Sequence, residues 1–285
     1  MGLSIIIPAK NEAEGLGMIL PDLTRLYPDA EILVVNDGST DDTNSVCNVY
    51  NVTQVKIPIP MGNGAAIKAG TRASSGDILI FLDADGQHRP NDISRLLKKL
   101  DEGFDMVVGA RSTSSQASIG RLCANVFYNW FASKMVGQKI EDLTSGFRAV
   151  KTRKFRQFLH LLPNGFSYPT TCTMAFFRSG YPVGYVPIEA KQRIGKSHIK
   201  LIKDGIRFLL ILFKIGTLYS PLKIFFPLSI ISFVMGSGYY LYTYLTMSRF
   251  TNMSALLFTT AITIFLMGLI SEQITSLIYS QNKNN

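Results

Sequence analysis

The stretch "DILIFLDADGQHRP", residues 77–90, decides the fold. Its first half is an unbroken apolar run, the pattern of a parallel strand buried on both faces. Its second half sets Asp83 and Asp85 one residue apart at the tip of that strand, followed by Gly86 and Gln87. Two carboxylates so close repel each other, so the arrangement calls for a positive charge nearby. Similar runs stand at "LSIIIPA" (3–9), "EILVVND" (31–37), "QVKIPI" (54–59) and "DMVVGAR" (105–111). Between them the pattern predicts helices over 12–26, 41–50, 63–74 and 91–102. This alternation predicts a doubly wound α/β domain with a mostly parallel sheet. In such sheets ligands bind beyond the carboxyl ends of the strands. Pro8-Ala9, Asn36-Asp37-Gly38 and Asp83-Ala84-Asp85 all fall on that edge.

Residues 119–136 predict a further helix, with Leu122, Val126, Phe127, Trp130, Phe131 and Met135 in an apolar stripe. The stripe reads as core-facing, with a membrane interface as the alternative. A polar loop, "EDLTSGFR" (141–148), leads into more α/β-like sequence to about residue 190.

The net charge of +9 is unevenly spread. Residues 191–223 hold eight basic residues against one acid, Asp204, and the rest of the chain is nearly balanced. A nucleic-acid binder would also be basic, but this charge abuts membrane-like sequence, which favours anionic lipid headgroups as its partner. Residues 199–214 are amphipathic, as a helix lying in the interface requires. Two apolar stretches follow, the uncharged 224–245 and about 255–279, uncharged to residue 270, each near the ~20 residues that cross a bilayer core. The expected division is an α/β domain over 1–197, a juxtamembrane segment over 198–222 and a transmembrane hairpin over 223–285. The basic cluster places the α/β domain and both termini in the cytoplasm. Glu272, near the end of the second span, reads as snorkelling to the interface or as an intersubunit hydrogen bond. Cys47, Cys123 and Cys172 have no metal-binding spacing and read as reduced thiols.

Four polar clusters occupy the binding edge: "PAKNEAE", "VNDGSTDDT", "DADGQ" and "EDLTSGFR". Each alone could be a turn or a helix cap, and Ser39-Thr40-Asp41 reads as the cap of the next helix. In this order, with "GNGAAIKAG", "RIGKSH" and the tail "GLISEQITSLIY", the chain resembles family 2 glycosyltransferases of the Rossmann-like GT-A fold. Within that family it is similar to the polyprenyl-phosphate hexosyltransferases, of the dolichol-phosphate mannose synthase and undecaprenyl-phosphate glucosyltransferase kind. The resemblance spans nearly the whole chain.

It implies a nucleoside pocket lined by Pro8, Ala9, Asn11, Glu12 and Asp37, with Gly64 and Ala84 against the donor. It implies Asp83 near the ribose and metal, and Asp85 and Gln87 on a divalent cation that bridges the donor diphosphate. Asp142 would stand near the acceptor and sugar. Arg193, Lys196 and Ser197 would belong to a basic loop that closes over the phosphates. Asn63, between Gly62 and Gly64, departs from the Lys that many relatives carry there. An oligomer, a homotetramer by resemblance, is also implied.

The chemistry agrees with these expectations. Charge developing on a nucleotide diphosphate leaving group suits Mg2+ or Mn2+ as a Lewis acid. Such hard cations prefer carboxylate, amide and phosphate oxygens, whereas zinc would want His or Cys. His88 reads as a turn residue at the margin of the site. A polyprenyl phosphate acceptor is already largely ionised, its second pKa being about 6, so no strong base is needed. Arg111, Arg121 and Asn125 are the candidates for its phosphate, and backside attack at C1 would invert configuration. A processive polysaccharide synthase of the same fold, and a non-catalytic membrane scaffold, are the competing readings. The first lacks its QxxRW motif, because Asn129 precedes the single Trp130.

Overall fold

The computed structural model describes residues 2–111, 119–165, 167–189, 213 and 216–281, and within the helix starting at Ile119 the side chains from residue 125 onward. Arg193, Lys196, Ser197 and the expected amphipathic helix over 199–214 (Phe213 apart) lie outside these residues, as does the side chain of Arg121. The chain divides into two compact units, residues 1–200 and 201–285.

The first unit is built on seven strands: β1 (Leu3–Ala9), β2 (Glu31–Asp37), β3 (Thr53–Ile57), β4 (Ile78–Phe81), β5 (Met106–Arg111), β6 (Arg148–Lys151) and β7 (Val183–Ile188). Their order in the sheet is β3-β2-β1-β4-β6-β5-β7. All pairings are parallel except those of β6, which runs antiparallel to both β4 and β5. The helices are α1 (Ala13–Leu26), α2 (Thr43–Val49), α3 (Asn63–Ala73), α4 (Asp92–Asp101), α5 (Ile119–Val136), α6 (Thr152–Arg156) and α7 (Tyr168–Arg178). Apolar side chains of the central strands, Ile5, Ile7, Val34, Ile80 and Val107, are fully buried with Leu16, Leu20 and Leu96 of the covering helices. Each contributes about 1.5–3 kcal/mol by leaving water.

Two expectations need correction. The run from Asp77 was expected to remain a strand to Asp85, but β4 ends at Phe81, opposite Ile6 of β1. Beyond it only the Leu82 NH continues the ladder, to the Ile6 carbonyl at 3.1 Å, and the aspartates ride on a turn. That turn lies against α1. A Cβ on Gly15 would stand 2.0 Å from the Ala84 carbonyl oxygen, so only glycine lets the helix approach this closely. The stripe on α5 was expected to face the core. Met135 does, with Tyr128 and Ala132, but Val126, Phe127 and Trp130 are exposed, because the helix rests on a different face.

The antiparallel strand has a topological consequence. Parallel strands β4 and β5 deliver their carboxyl ends to one edge, and β6 enters the sheet from that same edge. The loop before it, 141–147, is therefore brought beside the tips of β4 and β5, with Arg148 opposite both Phe81 and Val108.

The second unit contains α8 (Leu222–Met247) and α9 (Asn252–Gln281). Both are long and apolar enough to cross a membrane, the first being about 39 Å at 1.5 Å per residue. They pack as an antiparallel pair. Gly236 meets Leu257 and Phe258, and Gly268 meets Phe225. Phe233 and Phe258 have ring centroids 5.4 Å apart. Most of their large side chains are exposed, as surfaces meant for lipid are. Glu272 accepts the backbone NH of Leu222 at 3.3 Å. That NH belongs to the first turn of α8, which has no intrahelical acceptor.

Candidate active site

The site grows from four loops at the carboxyl edge. The β1–α1 loop is held by Asn11, whose φ of 55° is left-handed, a conformation asparagine tolerates better than most. Its NH donates to Ser39 Oγ at 3.0 Å and its Oδ1 accepts the Thr40 NH at 2.8 Å. The Glu12 NH reaches Thr43 Oγ1 at 3.3 Å. Asp41 takes the Ala13 NH on one oxygen and the Thr43 NH and hydroxyl on the other. It thereby serves the first turns of both α1 and α2, although the N-cap position of α2 is Asp42, one residue beyond the expected Ser39-Thr40-Asp41 cap, and its side chain makes no capping hydrogen bond. Burial would raise the Asp41 carboxyl, but these hydrogen bonds hold it below the usual range. Asp37, at the end of β2, accepts the Met61 and Gly62 NH groups at 2.7 and 2.8 Å. Pro8 and Ala9 close β1 between these loops. Gly64, in the first turn of α3, has the Pro163 carbonyl where a Cβ would be. Asn63 buries its Oδ1 without a hydrogen-bond partner among the described residues.

The aspartate turn is the centre. Asp83, Asp85 and Gln87 are half-buried, while Ala84 is buried. Asp85 Oδ1 accepts the Gln87 NH at 3.2 Å across Gly86. Asp83 occupies space that only a glycine at 146 leaves, since a Cβ there would lie 2.7 Å from its Oδ2. His88, only 5 % exposed, stacks on Phe147 at 5.0 Å. Its Nε2 stands 3.7 Å from Asp83 Oδ2, beyond hydrogen-bond range. The sequence puts His88 at the margin; the structure puts it behind Asp83.

Asp142 is built differently. It is 5 % exposed and accepts six hydrogen bonds: Arg111 N, Nε and Nη2, Thr144 N and Oγ1, and Ser145 N. The two guanidinium contacts, 2.8 and 3.0 Å, form a bidentate pair. Burial would raise the Asp142 carboxyl, but Arg111 and the backbone NH groups outweigh it and hold it below the usual range. Burial likewise works against the Arg111 charge, and Asp142, with Asp83 and Asp85 beyond it, raises its pKa. Arg111 is thus a fixed positive charge near the aspartate pair.

Three residues that sequence reasoning missed hold this corner. Asn129 of α5 donates to the Glu141 carbonyl at 2.7 Å and accepts the Leu143 NH at 3.0 Å, gripping the backbone on either side of Asp142. Asn125 lies one turn earlier on the same face, and Arg121 falls in the first turn of α5. Ser133 accepts the Ile140 NH at 2.9 Å. Arg148 is fully buried. It donates to the carbonyls of Ser145 and Pro169 and to Thr173 Oγ1, tying the loop to α7. A polar side chain facing loop carbonyls is a weak signal in sequence, and a buried arginine in a strand is weaker still.

The donor set fits a hard cation. Asp83, Asp85 and Gln87 offer only oxygen ligands in a half-open turn. Among the described residues no three His, Cys, Asp or Glu side chains cluster to hold a metal alone. An ion here would draw further oxygens from water or a bound phosphate, as Mg2+ commonly does.

Comparison with known proteins follows this geometry. Residues 4–160 match glycosyl transferase family 2, and residues 220–277 match the GtrB C-terminal hairpin. The CsbB protein of Bacillus subtilis is 27 % identical over 99 % of this chain and 89 % of its own length. The polyprenol monophosphomannose synthase of Mycolicibacterium smegmatis is 31 % identical over 66 % of this chain and 77 % of that protein. The dolichyl-phosphate hexose transferase of Haloferax volcanii is 26 % identical over 71 % and 89 %. Among solved structures, the glucosyl-3-phosphoglycerate synthase of Mycobacterium tuberculosis with Mn2+, UDP and glucosyl-3-phosphoglycerate superposes with a TM-score of 0.61. It is 19 % identical, covering 75 % of this chain and 78 % of that one, a likeness of fold.

Proposed function

The chain belongs to glycosyl transferase family 2, and from that premise we propose that it moves a hexose from a nucleotide diphosphate sugar to a polyprenyl phosphate, with inversion at C1. The observation that carries this reading is the pairing of an open oxygen-donor turn (Asp83, Asp85, Gln87) with a fixed Arg111–Asp142 ion pair at one sheet edge, in a chain that also holds a bilayer-length hairpin. The relatives acting on polyprenyl and dolichyl phosphates support the acceptor. A divalent cation, Mg2+ or Mn2+, bound by Asp85 and Gln87 with Asp83 would stabilise charge on the departing diphosphate. The tied loops of Pro8 to Glu12 and Asp37 to Asp41 hold the nucleoside. Asp142, saturated with donors and held anionic, is a poor general base. It positions Arg111, which receives the acceptor phosphate with Arg121 and Asn125. Arg193, Lys196 and Ser197 close over the donor phosphates. The α/β unit and both termini lie on the cytoplasmic side, and the chain works as an oligomer.

Membranes holding the protein, given labelled GDP-mannose, UDP-glucose or UDP-N-acetylglucosamine, should yield a chloroform-soluble labelled lipid that disappears with EDTA. Long labelled polymer, or no product from any donor, would overturn the reading. Unchanged turnover and donor affinity in Arg193→Ala and Lys196→Ala would remove those two residues from the phosphate clamp.

A further inference from the structure

We propose that His88 is a positioning residue for Asp83, fixing from behind the orientation in which that carboxylate meets a divalent cation. The imidazole is an odd occupant for its place. It is 5 % exposed and lies almost parallel to the Phe147 ring, with 16° between the planes and centroids 5.0 Å apart. Phe147 is itself fully buried, and its carbonyl accepts the Gly109 NH of β5 at 2.9 Å. The ring beneath His88 is therefore anchored to the sheet, and stacking on it holds the imidazole in place. A phenylalanine at position 88 could make the same stack. It would also remove a liability, because His88 Nδ1 is buried with no hydrogen-bond partner among the described residues. An unpaired buried polar atom costs free energy that an apolar ring avoids. What the imidazole adds is its other nitrogen, Nε2, which stands 3.7 Å from Asp83 Oδ2.

The tautomer follows from the same two nitrogens. A proton on Nδ1 would be a buried donor without an acceptor. A proton on Nε2 leaves Nδ1 as a bare lone pair and sets an N–H dipole beside the carboxylate. That nitrogen is about 0.8 Å short of an ordinary N–H···O hydrogen bond, and in a low-dielectric corner its dipole still favours the negative charge. Gly146 bounds the same oxygen from the loop before β6, since a Cβ there would lie 2.7 Å from Asp83 Oδ2. Oδ2 therefore faces protein on two sides, and the side chain has little room to turn. Carboxylates that ligate metals are commonly oriented by such outer partners, whose loss costs about 10–100-fold in metal affinity. The inference rests on the metal-dependent transfer proposed above and goes beyond it by naming a residue outside the ligand set.

The full chain, purified in detergent, would be titrated with Mn2+ in the presence of UDP or GDP, with free Mn2+ followed by electron paramagnetic resonance. The binding that Asp85→Ala abolishes is the binding read. His88→Phe keeps the stack and removes both nitrogens. It should weaken Mn2+ binding about 10–100-fold while melting no lower than the unaltered chain. His88→Gln, whose amide nitrogen reaches the place of Nε2, should recover most of the affinity. His88→Asn, whose amide reaches only the place of Nδ1, should not. Unchanged affinity in His88→Phe would overturn the proposal. Equal affinities in the Gln and Asn variants would overturn it too, and that comparison stands even if His88→Phe fails to fold. Either result, with Asp85-dependent binding intact, leaves the metal-dependent reading standing. Absence of Asp85-dependent Mn2+ binding in the unaltered chain would overturn that reading and this inference together.

Discussion

Asp142 and the Asp83–Asp85 pair share one sheet edge, yet their carboxylates are kept in opposite conditions. Asp142 is buried, bidentate with Arg111 and capped by backbone NH groups. The pair is half-exposed on a turn. Nearly all the acceptor capacity of Asp142 is taken, so it serves as scaffold. On the proposed reading, the pair is where a cation would bind. A net-negative corner beside a locked positive charge is tolerable without metal and strengthened by it.

The comparison breaks hardest at the ion pair. Asp142→Asn leaves the Arg111 guanidinium without its partner, and breaking one side of a buried pair costs about 3–5 kcal/mol. A large fall in melting temperature is expected, measured by thermal unfolding in detergent, and a fall no larger than that of a surface variant would show the pair is not locked. The same residue sets a pH limit. Its folded-state pKa lies below the ordinary aspartate value of 3.8. Its stabilisation is therefore complete above that value and lost as pH falls through the folded-state pKa. Asp142→Asn should lack that component of acid destabilisation.

On the open side, Asp85→Ala should fold normally and lose about 10²–10³ in turnover, the range for removing one electrostatic contact to a developing charge. Its activity should no longer respond to added Mg2+ or Mn2+. A variant with full metal-dependent activity would place the cation elsewhere. Gly146→Ala tests the boundary between the regions, because the new methyl enters the space of Asp83. Displacement of about 1 Å can cost 10²-fold, read as a fall in turnover with a modest change in melting temperature. The smallest effect is expected from Asn129→Ala, which leaves the Leu143 NH without its acceptor. A loss of about 1–3 kcal/mol in stability follows from that buried group. A milder change would mean that Ser133 suffices to hold the loop.

What was legible in the sequence was the half of the sheet made by continuous apolar runs. The runs at 3–9 and 31–37 match β1 and β2 in extent, and the one at 105–111 matches β5 within a residue. β3 stops at Ile57, before Pro58, which lacks the NH a continuing ladder requires. β6 was illegible: four residues, opening on an arginine, look like loop until tertiary packing supplies carbonyls for the guanidinium. Without β6 the pairing of Arg111 with Asp142 could not be foreseen, since 31 residues separate them and no local rule brings them together. Asp142 was read from the resemblance and Arg111 from the charge of the acceptor, as independent contacts, and the strand order makes them one unit. The α5 stripe misled for another reason. Its apolar positions cover more than one face, and hydropathy alone does not tell which face meets protein.

Gly15 carries a further consequence. Glycine inside a helix costs about 1 kcal/mol relative to alanine, and here it lets the helix backbone touch the Ala84 carbonyl. The reach of Asp83 and Asp85 beyond the sheet is thus gauged by α1, a helix about seventy residues earlier in the chain, as well as by the strand that carries them. Any bulk added at position 15 becomes a displacement of the turn, so the calibration of this corner is stored in a residue with no side chain and no chemistry of its own.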